Sequence, residues 1–468
     1  MSGPMALEPD GAEQDTLSLR LSTDPLSRRR VRHDRTLALR RPRWGADHAA
    51  VNSLAAELAD GIGPAVHPYE VAALLESEGL TAEVIKERYG HPDIFSLAAA
   101  LYERVPRTFP EPPPPADPWR PDHVRCALRG ALFALPGLAY LLVAPLWHGE
   151  RTVLVLVVAG LVSWAWGQAL GHRAFLRMST GRREAGRTLL KGAPVGALVA
   201  TATAWPVAGS GSAVPAAGAQ SVYLAAAGVL LVLGGERLLL AALTPVIAGA
   251  AVLPWWEPGP LLRAGLPLLA LLGTVAAAGW TLRAALAGPR VAEAARPALL
   301  SSLPYGLFGL AAGTLVLLTG REEPYAVIVL TVSMGPAEWL LYRYRGLSVT
   351  ALRKTGTPAA FRLRSAGVLA LCLSAYLLPL LPAALLTGSA PAPLLLLAAA
   401  LWTALLLQAF GVAWLPAGVC LTAAAAAAAL TRLGPPPGAD ALSLCCGVAA
   451  LCLTAGALRL LGRPAPHA

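Results

Sequence analysis

The sequence predicts an all-α protein. It reads as a polytopic transmembrane bundle of about 12 helices, a 6+6 pseudo-repeat, preceded by a small N-terminal cytoplasmic helical domain. Three observations carry this reading. Of 468 residues, 55 % are hydrophobic and only 14 % charged, and mean hydropathy is +0.55. A soluble chain of that length needs more charge to cover its surface. From residue 124 onward, apolar stretches of about 17–24 residues recur, the length a helix needs to cross roughly 30 Å of hydrocarbon. Basic residues also gather in alternate connections between those stretches.

Residues 1–48 form a basic arm with Ser27-Arg28-Arg29-Arg30-Val31-Arg32 and Arg40-Arg41-Pro42-Arg43. It is expected to be disordered and suited to anionic lipid head groups, a solvated tail being the other reading. Residues 49–105 read as a helical module. His67-Pro68 opens one helix and Gly79 ends it; Thr81 caps a second, with Leu80 and Ile85 as a staple; His91-Pro92 opens a third. Such a module can recruit a cytosolic protein partner. Residues 106–123 are a Pro-rich linker of extended polyproline character.

The charge splits between these regions. Residues 1–120 hold 14 Lys+Arg against 18 Asp+Glu, whereas residues 121–468 hold 24 against 10. The basic excess therefore lies between apolar stretches, where it signals topology, and no nucleic-acid partner is expected. The six cysteines all lie in apolar stretches without CxxC spacing, so no metal and no cofactor are expected.

The predicted spans are 126–147, 152–171, 189–208, 219–235, 238–255, 261–282, 298–319, 324–342, 364–386, 391–410, 412–431 and 440–461, divided into transmembrane halves 124–285 and 286–468. Loops 172–191, 283–297 and 343–364 and the tail carry most of the arginines beyond residue 120, including Arg173, Arg283, Arg343 and Arg463. The odd loops hold only Arg151, Arg263, Arg321 and Arg432. The pattern predicts a multi-pass protein of the inner (plasma) membrane with both termini cytoplasmic. Trp147, Trp205, Trp255 and Trp256 fall near the predicted outer boundary.

The two halves share short matches. Leu135-Pro136 matches Leu303-Pro304 at an offset of 168 residues, and Val162-Ser163 matches Val332-Ser333 at 170. That register sets Gln168 opposite Glu338 and Arg173 opposite Arg343. Pro136 and Pro304 are expected to kink the first and seventh spans at the same depth and to line a cavity between halves.

Repeated halves, cytoplasmic termini and prolines in spans one and seven resemble the polysaccharide flippase and multidrug exporter superfamily. They also resemble the major facilitator superfamily, although the loop after span two, Gly171-His172-Arg173 through Gly181-Arg182-Arg183, has no counterpart to that family's acidic residue. The resemblance implies a secondary transporter or flippase for a lipid-linked glycan, polysaccharide or amphipathic substrate, working by alternating access. A membrane scaffold is the alternative. The outer loops are short, so a membrane transferase is disfavoured and no enzyme is expected.

Ionisable groups inside spans are costly and so mark candidate sites. Glu338 leads. It follows Gly335-Pro336, which is expected to break the eighth span and set Glu338 in the first turn of a new half-helix, coupled to a proton or cation. The other reading sets Glu338 near the cytoplasmic end, paired with Arg343 or snorkelling to water; Arg343 is itself a substrate or coupling candidate. Gln168, Gln408 and Tyr305 are candidate substrate contacts, with helix bridging and packing as the other readings. Glu236-Arg237 reads as a simple cytoplasmic turn.

Overall fold

The computed structural model describes residues 48–106, 108, 120–146, 149–208, 213–289, 298–433 and 440–467. Residues 1–47 of the basic arm, most of the Pro-rich linker, Trp147, His148, Arg290 and Arg296 lie outside the described residues. The chain divides into two compact units, one spanning residues 8–118 and the other running on from Trp119.

The smaller unit contains α1 (His48–Glu57), α2 (Ala59–Ile62), α3 (Pro68–Ser77), α4 (Ala82–Tyr89) and α5 (Ile94–Arg104). Each start has a local cause. His67 Nδ1 accepts the Tyr69 N–H at 3.2 Å, with Pro68 in the first turn of α3. Thr81 caps α4, which ends on Gly90 in the left-handed region. The cap of α5 is Asp93 rather than His91-Pro92: its carboxylate accepts the Ser96 N–H at 2.7 Å, and Ser96 Oγ accepts the Asp93 N–H. Asp93 supplies an acceptor aimed along the new helix, which Pro92 cannot. Val71, Leu75, Ile85, Leu97 and Leu101 fill the core between these helices.

His91 lies between α4 and α5 with Nε2 buried and unpartnered. Burial, then the Arg104 guanidinium, push its pKa below the ordinary imidazole value of 6.5, against a smaller opposing effect of Asp93. The folded unit therefore binds fewer protons than the unfolded chain as pH falls past 6.5. Stability is full above that range and declines below it. Amide protection across residues 85–105, corrected for the intrinsic exchange rate at each pH, should fall between pH 7 and pH 5, and His91→Gln should flatten the response. Exchange rates that track intrinsic chemistry alone would remove this role.

The larger unit continues as α6 (His123–Ala134), α7 (Gly137–Val143), α8 (Glu150–Met178), α9 (Arg182–Ala208), α10 (Ala213–Val232), α11 (Glu236–Val252) and α12 (Pro260–Ala287). It ends with α13 (Leu303–Glu322), α14 (Pro324–Val332), α15 (Met334–Arg353), α16 (Pro358–Thr387), α17 (Pro391–Ala409), α18 (Trp414–Leu433) and α19 (Ala441–Leu461). Every predicted span coincides with a helical stretch. Among the described residues, nine stretches have the length and apolarity to cross a membrane, or ten if α14 and α15, bent by 42°, count as one. The expectation of twelve is corrected to that number on these criteria. Helix α9 begins with Arg182, Arg183, Glu184, Arg187 and Lys191, and α11 has only 17 residues.

The helix ends sort to two levels. At one, Arg182 donates to the Leu233 carbonyl at 2.7 Å, Arg183 to that of Gly288 at 2.9 Å, and Ser365 to that of Leu461 at 3.2 Å. At the other, Arg263 reaches the Leu142 carbonyl and Glu323 accepts the Ala390 N–H. Among the described residues of this unit, the first level holds most of the arginines. The outer surface between levels is apolar, with Leu198, Leu261, Leu378, Leu386 and Leu451 exposed. A hydrocarbon solvent suits such a belt, and helices are the structures that satisfy their own backbone inside it.

Two large hydrophobic cores form, beside a smaller cluster of Val155, Ala159, Ala204 and Ala217 where α8, α9 and α10 meet. One draws on residues 132–285 of α6 to α12, the other on residues 308–461 of α13 to α19. They meet along two seams: α6 packs on α14 and α15, and α8 packs on α13.

Candidate functional site

The first seam holds a charged quartet. Asp122 caps α6 by accepting the Arg125 N–H at 3.0 Å. Arg125 and Arg129 then stand one turn apart on one face. The tight turn at Gly234, with φ of 74°, brings Glu236 into the first turn of α11, where the helix dipole favours a carboxylate. Glu236 Oε1 accepts from Arg125 Nε at 3.1 Å and from Arg129 Nε at 3.1 Å. The same guanidinium donates through Nη1 to Glu338 Oε1 at 2.6 Å. Side-chain exposures of 15 %, 9 % and 13 % for Arg129, Glu236 and Glu338 put these charges largely out of solvent. Two cations face two carboxylates, so the quartet is neutral, which is the condition for holding charge at such burial. Arg129 is its central member, joining the two halves.

Close backbone approach makes this geometry reachable. A Cβ on Gly130 would lie 2.9 Å from Gly335 Cα, and one on Gly335 would lie 2.9 Å from the Cys126 carbonyl oxygen. Beside the crossing, the Trp339 indole N–H donates to His123 Nδ1 at 2.9 Å. The Arg343 guanidinium lies over the Trp339 ring, 5.6 Å from its centroid.

Several expectations change here. Glu338 pairs with Arg129, because Arg343 is exposed and turned toward Trp339. Glu236 is buried in the quartet, so it is more than a turn residue. The eighth span breaks at Ser333, two residues before Gly335-Pro336, and Glu338 opens the second turn of α15. Pro336 has no N–H to offer the Val332 carbonyl, which favours a break there. Ser333 Oγ instead bonds the Leu330 carbonyl and sits 3.0 Å from the Tyr376 hydroxyl. Pro136 does separate α6 from α7. Pro304 does not kink a span: it lies in the first turn of α13 after a 3₁₀ turn at Leu299–Ser302, a place where a missing N–H is harmless.

The second seam gathers other candidates. Gly306, Gly309 and Gly313 of α13 lie against Ala165, Gln168 and Leu161 of α8. Gln168 is buried and its Nε2 has no partner. Tyr305 stacks on His172 with ring centroids 3.7 Å apart and planes 15° apart, while His172 Nδ1 lies 3.1 Å from Ser302 Oγ. Gln408 is elsewhere, at the end of α17 inside the second core, with Nε2 also unpartnered.

Sequence reasoning missed Arg129 and His172. The signal for Arg129 is its spacing: Arg125 and Arg129 form an i, i+4 pair running into an apolar span. For His172 it is the same spacing after Gln168. Neither spacing names a partner more than 100 residues away. Among the described residues, no three His, Cys, Asp or Glu gather into a metal-binding group.

Together the fold and the two seams define a polytopic α-helical membrane protein. No protein-family model, no curated protein and no solved structure matches the chain.

Proposed function

We propose that the larger unit is a secondary transporter or flippase for a lipid-linked glycan, polysaccharide or other amphipathic substrate. It works by alternating access between two duplicated six-helix halves, without enzymatic chemistry, in an inner membrane with both termini cytoplasmic. The observation that carries this reading is the pair of large hydrophobic cores, one in each half, which among the described residues meet chiefly along two seams. Bodies that are internally packed and narrowly joined are suited to rocking.

The neighbour pattern supports duplication. Span two packs on three and four, three on four and six, four on six, five on six and one on five; the same pairs recur six spans later. The seams cross over, with one against eight and two against seven. Gln168 and Glu338, opposite each other in the sequence register, each lie in a seam.

In this reading Arg129–Glu338 is the gate at the basic end. Opening that end separates the pair, Arg129 stays with Glu236, and Glu338 becomes available to a proton or cation. Glu338→Gln should therefore uncouple transport from the gradient. Spin labels at Arg187 and Arg353 report the basic end, and labels at Val153 and Tyr325 the opposite end. In nanodiscs each pair should show two distances, with the ends changing in opposite senses under a gradient. Fixed single distances at both ends would sink alternating access. Accumulation of lipid-linked glycan in a deletion strain tests the substrate class.

One observation favours the scaffold alternative. The smaller unit leaves Val66, Tyr69 and Phe95 exposed, with the two rings 5.7 Å apart. A scaffold needs that aromatic patch for a cytosolic partner and needs no motion of the membrane unit.

A further inference from the structure

The two halves use the cations of their basic ends differently. In the first half, Arg177 and Arg187 each hold Glu184 at 2.8 Å, and Arg125 and Arg129 hold Glu236. Arg182 and Arg183 donate to the carbonyls of Leu233 and Gly288. These guanidinia stitch the fold. Residues 339–468, by contrast, hold one acidic residue, Asp440, and it caps the start of α19 at the opposite end. Arg353, Lys354, Arg362, Arg364, Arg459 and Arg463 are all exposed. Among the described residues, none of these six side chains makes an ion pair or a hydrogen bond.

Three elements bring them to one place. Helix α15 ends on Arg353, α16 carries Arg362 and Arg364 in its second turn, and Arg459 and Arg463 flank the end of α19. The Ser365 hydroxyl donates to the Leu461 carbonyl, and a Cβ on Gly462 would lie 3.5 Å from Arg362 Cγ, so the start of α16 stands against the end of α19. The 3₁₀ turn at Ala465–His467 packs on α15. Like charges gathered without an acid repel one another, which works against the fold. The helix dipoles favour Arg353 and Arg459 in last turns, but Arg362 and Arg364 lie near the positive end of α16, where the fold gains nothing from a cation. Sidedness asks for charge anywhere along the connections. Convergence at one spot points to an anion.

The surface next to these cations is apolar. Leu363 and Leu371 of α16 and Leu451 and Leu458 of α19 are exposed, on helices long and apolar enough to cross a membrane. We propose that the basic ends of α15, α16 and α19 form a docking surface for an anionic phospholipid, favouring one with two phosphates over one with a single phosphate. The phosphates sit among the six cations, and the acyl chains run along the four leucines. Guanidinia match phosphate oxygens two at a time, and a basic cluster at a helix end is suited to such head groups. A zwitterionic lipid brings its own cation and gains less. A soluble phosphate gains nothing from the leucines. The site is independent of alternating access, because a static bundle offers the same surface.

Native mass spectrometry of the full-length protein from a neutral detergent counts bound lipid during titration with cardiolipin, phosphatidylglycerol or phosphatidylcholine. Cardiolipin should bind most tightly and phosphatidylcholine least, and added salt should weaken the two anionic lipids. Arg353→Gln, Arg362→Gln and Arg463→Gln together remove one cation from each element. They should weaken cardiolipin binding roughly 100-fold, about fivefold for each cation. Lysine at the same three positions should keep most of the binding. Lys191→Gln, Arg237→Gln and Arg283→Gln remove as much exposed charge from the basic end of the first half and should leave binding nearly unchanged. Equal weakening by the two glutamine triples would mean diffuse attraction without a site and would overturn the proposal. So would equal binding of all three lipids by the parent protein, or displacement of cardiolipin by equimolar inorganic pyrophosphate.

Discussion

Arg129→Ala is expected to destabilise the membrane unit by about 3–5 kcal/mol, the penalty of leaving a buried charge without its partner. The geometry makes the effect asymmetric. Glu236 keeps Arg125 at 3.1 Å, whereas the ion pair of Glu338 is with Arg129 alone among the described residues. Glu338→Gln should be milder, because Arg129 remains held by Glu236 at 3.0 Å. Adding Glu338→Gln to Arg129→Ala should recover part of the loss, since the stranded carboxylate is then neutral. Thermal unfolding in detergent, followed by tryptophan fluorescence, ranks the three variants. Arg129→Ala unfolding within about 1 kcal/mol of the parent, the range of an exposed pair, would mean that water already solvates the quartet.

Gly130→Leu should be the second large loss, at about 1–3 kcal/mol or more. Even a methyl at Gly130 meets the Gly335 backbone at 2.9 Å, and backbone cannot swing aside as a side-chain tip can. Helices α6 and α15 must then part, which stretches the Arg129–Glu338 bond of 2.6 Å. Gly367→Ala is the control, because a Cβ there meets nothing within 4 Å. It should be neutral or slightly stabilising, as expected for an open helical site. Equal melting of Gly130→Leu and the parent would show that the crossing is loose. A double-mutant cycle with Arg129→Ala adds a second reading: the two losses should fall short of additive, because both act through one contact.

Much of the fold was legible because a bilayer imposes simple rules. Apolar length reports a spanning helix without reference to any distant residue. The caps at His67 and Thr81 were equally local. Asp93 displaced His91-Pro92 because a side-chain acceptor was available two residues further on. Pro304 was misplaced because proline has two compatible roles, kink and helix start, and only the 3₁₀ turn before it distinguishes them. The span count fell because helix α9 is polar over its first turns, α11 has only 17 residues and the eighth span is bent into two helices, so helicity and spanning length part company there.

The candidate site was only half legible. Glu338 was visible as a costly carboxylate in an apolar setting, and Gln168 as a polar group in a span. Arg343, a near neighbour in sequence, was the natural partner to assign. The actual partner lies 209 residues away and arrives there only because two glycines let their helices nearly touch.

The chain's own order of residues therefore determined its class: apolar lengths, basic connections and caps are local quantities, each read over a few turns of helix. Tertiary structure alone decided which charges meet and which stay exposed. Those outcomes depend on helix crossings, where a single missing Cβ changes the separation of two backbones.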